Sequence, residues 1–202
     1  MGIVGKLGER HFIKGKIIEV QRHEEGTQLE FKDYQNSNFK QLSSKVNDSA
    51  KKYAIGFLNA TGFGSIYFGI DDDNCVVGLK LTRKERDQLL NGIESNLEHA
   101  INPHVTLNNY RVSRHPVYNS AKQPIEDLII LEVTISNPDK SHRSSGKYYL
   151  SSSKGVAYIK TDSSLRALQG TEIQKAVEDH LLRAARVKLD ALEEKLKEEP
   201  ER

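Results

Sequence analysis

A change in hydrophobic periodicity between residues 41 and 79 constrains the fold of this chain more than any other feature of its sequence. Apolar residues first recur at helical spacing, which predicts a helix from Gln41 to Ala60 with one buried face. That face comprises Leu42, Val46, Ala50, Ala54, Phe57 and Leu58. After a glycine-containing turn, the run Ser65–Ile70 predicts a buried strand, and residues 71–74 form a polar turn. A second apolar run, Cys75–Leu79, then predicts a hairpin.

The flanking segments predict a second helix and several short strands. Thr82 and Glu85 have the spacing of a capping box, and the helix that follows them ends before Pro103. Its apolar face is predicted to contain Leu89, Leu90, Ile93, Leu97 and Ile101. Strands are expected at Lys16–Gln21, Leu29–Lys32, Tyr110–Ser113, Leu128–Ile135, Tyr148–Leu150 and Val156–Ile159. This order predicts an α+β fold, with a mixed or antiparallel sheet flanked by helices.

A last helix is predicted to begin near Gly170-Thr171, and it carries apolar residues in a heptad pattern. The seam consists of Leu182, Ala185, Leu189, Leu192 and Leu196. Such a seam either packs on its own domain or pairs with another subunit. We therefore divide the chain into an N-terminal segment (1–24), a core (25–180) and a charged C-terminal helix (181–202).

Charge is unevenly distributed, although the formal net charge of the 202 residues is only +2. Residues 138–166 contain six Lys or Arg and two Asp. A basic segment of this kind attracts phosphate groups, although a solvated loop has the same composition. The basic residues are therefore candidates for nucleic-acid contacts, with a solvated surface as the alternative.

The sequence favours an intracellular protein. Cys75 is the only cysteine, which excludes an intramolecular disulfide and a Cys-rich zinc site. Residues 1–10 lack the apolar region of a signal peptide, and no run of about 18 apolar residues predicts a membrane span. We expect a cytoplasmic location, with the nucleus as the alternative.

Acidic residues at two predicted strands are candidates for a metal site. Glu25 precedes one predicted strand and Glu30 lies at its start. Another predicted strand is followed by Asp71, Asp72 and Asp73. If the strands are neighbours, the carboxylates converge, and clustered carboxylates repel one another unless a cation joins them. Oxygen ligands suit Mg²⁺ or Mn²⁺, which activates water and stabilises a phosphodiester under attack. Taken alone, however, these residues fit two solvated surface turns better.

Other hydrolytic chemistries lack their motifs. The seven histidines form no H-E-x-x-H pattern, and no G-x-S-x-G sequence is present for a nucleophilic serine. Neither G-x-G-x-x-G nor a Walker A sequence is found, so a nucleotide-binding loop is not predicted.

Three sequence blocks resemble the Schlafen family. The string E-G-T-Q-L-E-F-K, residues 25–32, resembles the family's E-x-x-x-x-E-F-K signature. Residues 52–79, KYAIGFLNATGFGSIYFGIDDDNCVVGL, are similar to its helix ending in A-F-A-N-T-x-G-G, followed by a strand, G-V-x-D and V-x-G. Residues 148–168, with the string Y-I-K, resemble its closing strands. The order and spacing of the three blocks make the resemblance specific.

The resemblance implies the fold also called divergent AAA-4 or AlbA-2. It further implies a metal-dependent endoribonuclease that cleaves structured RNA, such as tRNA or small-RNA precursors, with Mg²⁺ or Mn²⁺. The family's acidic triad falls on Glu25, Glu30 and Asp72, which would be both catalytic residues and metal ligands, and its lysine falls on Lys32. The expected RNA contacts are Lys140, Arg143, Lys147, Lys154 and Lys160.

Departures from the family pattern keep other functions open. Gly62-Phe63-Gly64 replaces the family's Gly-Gly, and a single cysteine cannot supply the zinc site of the larger Schlafens. Those proteins also clamp RNA between two related lobes, whereas this chain holds one copy, which implies a homodimer or a heterodimer with a Schlafen-like subunit. The alternatives are a catalytically silent RNA-binding scaffold subunit and a DNA-binding transcription regulator.

Overall fold

A computed structural model describes residues 12–18, 28–34, 37–137 and 148–198 of the chain. Within the last helix, the side chains of residues 180, 184 and 194–198 are not described. The elements are β1 (Phe12–Ile13), β2 (Leu29–Lys32), α1 (Phe39–Ala60), β3 (Phe63–Phe68), β4 (Leu79–Lys80), α2 (Arg83–His99), β5 (Ile101–Asn102), β6 (Tyr110–Tyr118), β7 (Pro124–Ser136), β8 (Leu150–Ser151), β9 (Ala157–Lys160), β10 (Leu165–Leu168) and α3 (Thr171–Glu198). The fold is α+β, as the sequence predicts.

Helix α1 is the centre of the fold. Asn38 caps it, because its side chain accepts a hydrogen bond of 3.0 Å from the backbone N–H of Gln41. The predicted apolar face is confirmed, and Tyr53 and Ile55 are also buried. The helix is buried on more than one side because it packs between two sheets, contacting β3 on one side and β9 on the other.

The larger sheet is mixed and has the strand order β1-β6-β7-β3-β2, with β4 pairing with β7 beside this path. Strands β2 and β3 are parallel neighbours, with Glu30 opposite Ile66, whereas β3 and β6 both pair with β7 in antiparallel fashion. Leu29 and Phe31 face a second apolar cluster on the side away from α1. Because side chains alternate along a strand, Glu30 and Lys32 therefore face α1.

The smaller sheet is antiparallel, with the order β10-β9-β8-β5, and two residues of α1 fix its position. The Asn59 side chain donates to the carbonyls of Tyr149 and Tyr158, both at 2.9 Å, and accepts from the Tyr149 N–H. Gly56 allows close approach, since a Cβ atom there would lie 3.3 Å from the backbone nitrogen of Lys160. These contacts place the end of β9 over the C-terminal part of α1.

Helix α2 confirms the predicted capping box at Thr82 and Glu85 and packs against α1. Its buried residues are Leu89, Ile93 and Leu97. Leu90 is only partly buried, and Ile101 lies outside the helix in β5. No helix in the part of the chain that the structure describes is both long and apolar enough to cross a bilayer.

Three predictions about strands were wrong in detail. The predicted hairpin is reduced to a bridge between Ile70 and Val76, because β4 pairs with β7 instead. Strand β1 lies before the predicted Lys16–Gln21; of that stretch residues 16–18 are described, with Ile17 in a bridge to Cys75, and residues 19–21 lie outside the described residues. Strand β10 was missed, since its sequence LRAL shows no clear alternation.

Candidate carboxylate site

Glu30 lies on β2 and faces α1, where three side chains bind its carboxylate. The hydroxyl of Tyr53 donates to Oε1 at 2.6 Å, and the ammonium group of Lys32 forms an ion pair with the same oxygen. The ammonium group of Lys160 lies 3.5 Å from Oε2. The Glu30 side chain is only 16% exposed, so these three contacts replace most of its hydration.

Tyr53 is a permanent hydrogen-bond donor to this carboxylate. Burial is the main reason why its pKa is raised well above the ordinary value for tyrosine, and the hydrogen bond to Glu30 raises it further. The negative charge of Asp72 also raises the pKa of the Tyr53 hydroxyl, by less than burial and Glu30 do. The hydroxyl therefore stays protonated at neutral and moderately alkaline pH.

Asp72 lies at the tip of the turn after β3, and Asp71 shapes that turn. Asp71 Oδ1 accepts hydrogen bonds from the backbone N–H groups of Asp73, at 3.0 Å, and Cys75, at 2.8 Å. Asn74 adopts a left-handed conformation with φ of 62°. One oxygen of Asp71 is thus used within the turn, whereas Asp72 and Asp73 are exposed. This geometry supports Asp72, rather than Asp71, as the aspartate available to a ligand.

Gly69 holds the Asp-rich turn at the ends of the two parallel strands. Its N–H donates to the carbonyl of Lys32 at 2.8 Å, and its own carbonyl accepts from Val77 and Gly78. It has φ of 102°, and a Cβ atom there would lie 3.0 Å from the Gly78 Cα. Only glycine fits this close approach of the backbone at residues 69 and 78 without strain. The backbone crossing at Gly69 brings the turn next to the end of β2.

A pocket of about 210 Å³ joins the two strand ends. It is lined by Leu29, Glu30, Phe31, Asp71, Asp72, Asn74, Lys160, Asp162 and Ser163. The prediction that β2 and β3 are neighbours is confirmed, and Glu30 and Asp72 both line this pocket. Glu25, the third predicted acid, lies outside the described residues.

The predicted RNA-contacting residues fall in different places. Lys154 is exposed in the turn between β8 and β9. Lys160 is only 3% exposed, and its ammonium group donates to the carbonyl of Thr161 at 2.8 Å as well as approaching Glu30. It therefore lies inside the carboxylate pocket, not on the exposed face that the sequence analysis assumed. Lys140, Arg143 and Lys147 lie outside the described residues.

Sequence reasoning missed Tyr53, Asn74 and Asp162 as parts of this site. Tyr53 is four residues from Phe57 on the predicted apolar face, and this spacing indicates only a core position. Asp162 comes from the turn after β9, which the sequence does not connect to β2. Within the four described ranges, no group of three His, Cys, Asp or Glu side chains is arranged to hold a metal ion.

A second buried carboxylate, Glu132 on β7, lies on the sheet face away from α1. It accepts hydrogen bonds from Tyr67 at 2.7 Å and Thr134 at 2.9 Å, and it pairs with His115 at 2.7 Å. Burial alone would raise its pKa, but these three partners together lower it below the ordinary value for glutamate. The cluster ties β3, β6 and β7 together and is separate from the Glu30 pocket.

Replacement of the buried ammonium group should destabilise the fold in a manner that depends on Glu30. We expect Lys160→Met to lower the free energy of unfolding by about 2–4 kcal/mol, because it leaves a largely buried carboxylate with fewer partners. The same substitution in a Glu30→Gln background should cost about 1–2 kcal/mol less. Urea denaturation of the four proteins measures this coupling, with Lys154→Met as the exposed control that changes stability by less than about 0.5 kcal/mol. Strictly additive effects would contradict the ion pair.

Comparison with known protein families agrees with this architecture. The family model described as "Schlafen, AlbA_2" matches residues 25–169, which include Glu30, the Asp-rich turn and the whole smaller sheet. No curated protein gives a significant match. The family is associated with nucleic-acid-related functions and includes nucleases. Because the match covers most of the chain, this protein belongs to the Schlafen AlbA_2 family.

Proposed function

We propose that this protein is a metal-dependent endoribonuclease, or the active subunit of one, that cleaves structured RNA such as tRNA or small-RNA precursors. The observation that carries the proposal is the shared pocket of Glu30 and Asp72 at the ends of β2 and β3. A carboxylate on β2 and another in the turn after β3 line one volume, and oxygen ligands of this kind suit a phosphodiester-cleaving centre.

The donor atoms of the pocket fit a hard divalent cation. Its polar lining includes carboxylates and the amide of Asn74, with no thiol or imidazole, which favours Mg²⁺ or Mn²⁺. Glu30 and Asp72 would hold the ion, together with Glu25, which precedes β2 in the sequence. When bound, such an ion activates a water molecule and offsets the charge of the phosphodiester under attack.

The residues of this chain would perform the remaining tasks. Tyr53 and Lys160 orient the Glu30 carboxylate, since both contact it from buried positions. Lys154 lies on an exposed turn of the smaller sheet. There it would bind phosphates of the RNA backbone, together with Lys140, Arg143 and Lys147 of the basic segment.

A catalytically silent RNA-binding subunit is the second candidate function. One observation favours it: both oxygens of Glu30 already have cationic partners, Lys32 and Lys160, and no three-residue metal group forms among the described residues. A subunit of this kind would bind RNA through its basic segment and leave cleavage to a partner.

Cleavage of labelled tRNA in Mn²⁺ or Mg²⁺ distinguishes the two functions. We expect Glu30→Gln and Asp72→Asn each to lower the cleavage rate by roughly 100-fold or more, because each removes a charged oxygen ligand. Asp73→Asn is the matched control, since Asp73 is exposed in the same turn but does not line the pocket, and it should cleave at nearly the wild-type rate. Wild-type protein that binds tRNA without cleaving it would favour the silent subunit, and equal losses at Asp72 and Asp73 would contradict the assigned site.

We also propose that α3 pairs with a second copy of the chain. Leu182, Leu189 and Leu192 of the predicted seam are 69%, 59% and 59% exposed. A helix gains most of its stability by packing an apolar face, and nothing in the described residues covers this one. In a parallel pair, Lys188 at heptad position g faces Glu193 of the second copy at position e, which places opposite charges beside the seam.

Light scattering over a range of protein concentrations tests this pairing. Because the seam is short, we expect a reversible dimer that forms in roughly the micromolar range. Leu189→Glu should give a monomer, since it places a charge in the seam, whereas Leu107→Glu, at a site 70% exposed between α2 and β6, should leave the dimer intact. A wild-type monomer at all concentrations would contradict the pairing.

A further inference from the structure

The charge of Glu30 is already balanced by groups of the protein. Lys32 and the Tyr53 hydroxyl both bind Oε1, and the Lys160 ammonium group lies near Oε2. Both oxygen atoms of Glu30 therefore have a cationic neighbour, although Asp71, Asp72 and Asp162 keep the pocket as a whole acidic. A divalent cation can coordinate a Glu30 oxygen only if one of the two ammonium groups moves away from it.

The two lysines differ in how firmly they are held. Lys160 is 3% exposed, has a second hydrogen bond to Thr161, and lies on the strand that packs against Gly56. The Lys32 side chain is 28% exposed, and its ammonium group also lies 5.6 Å from the centre of the Tyr53 ring. Lys32 keeps more contact with water than Lys160 does, so moving the Lys32 ammonium group costs less than taking Lys160 out of its buried position.

We propose that Lys32 is an exchangeable counter-ion of the carboxylate pocket. A divalent cation takes over the Glu30 oxygen that Lys32 binds, Lys160 and Tyr53 keep the carboxylate in place, and the displaced ammonium group turns towards a phosphate of the bound nucleic acid. The inference rests on the proposed metal-dependent function. It explains how one lysine both weakens cation binding in the absence of nucleic acid and contributes to binding of an anionic substrate.

This exchange predicts opposite effects of one substitution on metal binding and on cleavage. Lys32→Met removes the competing cation, so the dissociation constant for Mn²⁺ without nucleic acid should fall by about three- to tenfold at fixed ionic strength. The same protein should cleave tRNA more slowly than wild type, because the phosphate contact is lost. Lys32→Arg keeps the charge and should bind Mn²⁺ with nearly wild-type affinity.

Calorimetry or Mn²⁺ paramagnetic resonance measures the binding directly, with Lys45→Met as the matched control. The ammonium group of Lys45 also lies 5.6 Å from a tyrosine ring, that of Tyr34, but Lys45 lies on α1 and its ammonium group donates to the Ser37 hydroxyl at 3.0 Å. Lys45→Met should leave Mn²⁺ affinity unchanged. Thermal melting of each variant confirms that it is folded before binding is compared.

The failure of this inference differs from the failure of the proposed function. If wild-type protein binds Mn²⁺ through Glu30 but Lys32→Met binds it no more tightly, the counter-ion exchange is wrong and the metal site stands. If wild-type protein does not bind Mn²⁺, or if Glu30→Gln binds it as tightly as wild type, the metal-dependent function fails and the exchange fails with it. Tighter binding in both Lys32→Met and Lys45→Met would indicate a general charge effect and would also overturn the exchange.

Discussion

The contact between the Lys160 ammonium group and the Glu30 carboxylate joins the two layers of this protein. Glu30 comes from the larger sheet and Lys160 from the smaller one, and α1 with Tyr53 lies between them. A buried ion pair is stable only when both charges keep enough partners, so the two sheets must hold a fixed relative position. Gly56 and Asn59 of α1 provide that position, by close approach to β9 and by hydrogen bonds to the backbone of the smaller sheet.

The same construction explains why the candidate site lies where it does. Parallel pairing of β2 and β3 brings the ends of both strands to one edge of the sheet, and the backbone crossing at Gly69 folds the Asp-rich turn against that edge. Asp71 is used to build the turn, which leaves Asp72 at its tip. The pocket thus combines a carboxylate on β2 with one in the turn after β3, and the ion-pair partner of Glu30 on the same strand, Lys32, retains partial exposure.

The sequence predicts the helices well and the site only in part. The face of α1 and the capping box of α2 follow from local periodicity and spacing, and both are confirmed. The motif resemblance identified the family, and two of the residues that it singled out, Glu30 and Asp72, line one pocket. Strand pairing is a long-range property, so β4 was assigned to the wrong partner and Lys160 to the wrong surface. The role of Tyr53 could not be predicted either, because a tyrosine on the buried face of a helix is typical of a core position, and its hydrogen-bond partner is known only from the structure.

Anomalous diffraction from crystals soaked in Mn²⁺ tests the central claim most directly. We predict an anomalous peak at direct coordination distance from the carboxylates of Glu30 and Asp72, with the Lys32 ammonium group moved away from Glu30 and Lys160 still in place. A pocket without a peak, in crystals of protein that cleaves RNA in the presence of Mn²⁺, would contradict it. A peak coordinated by other residues would do the same.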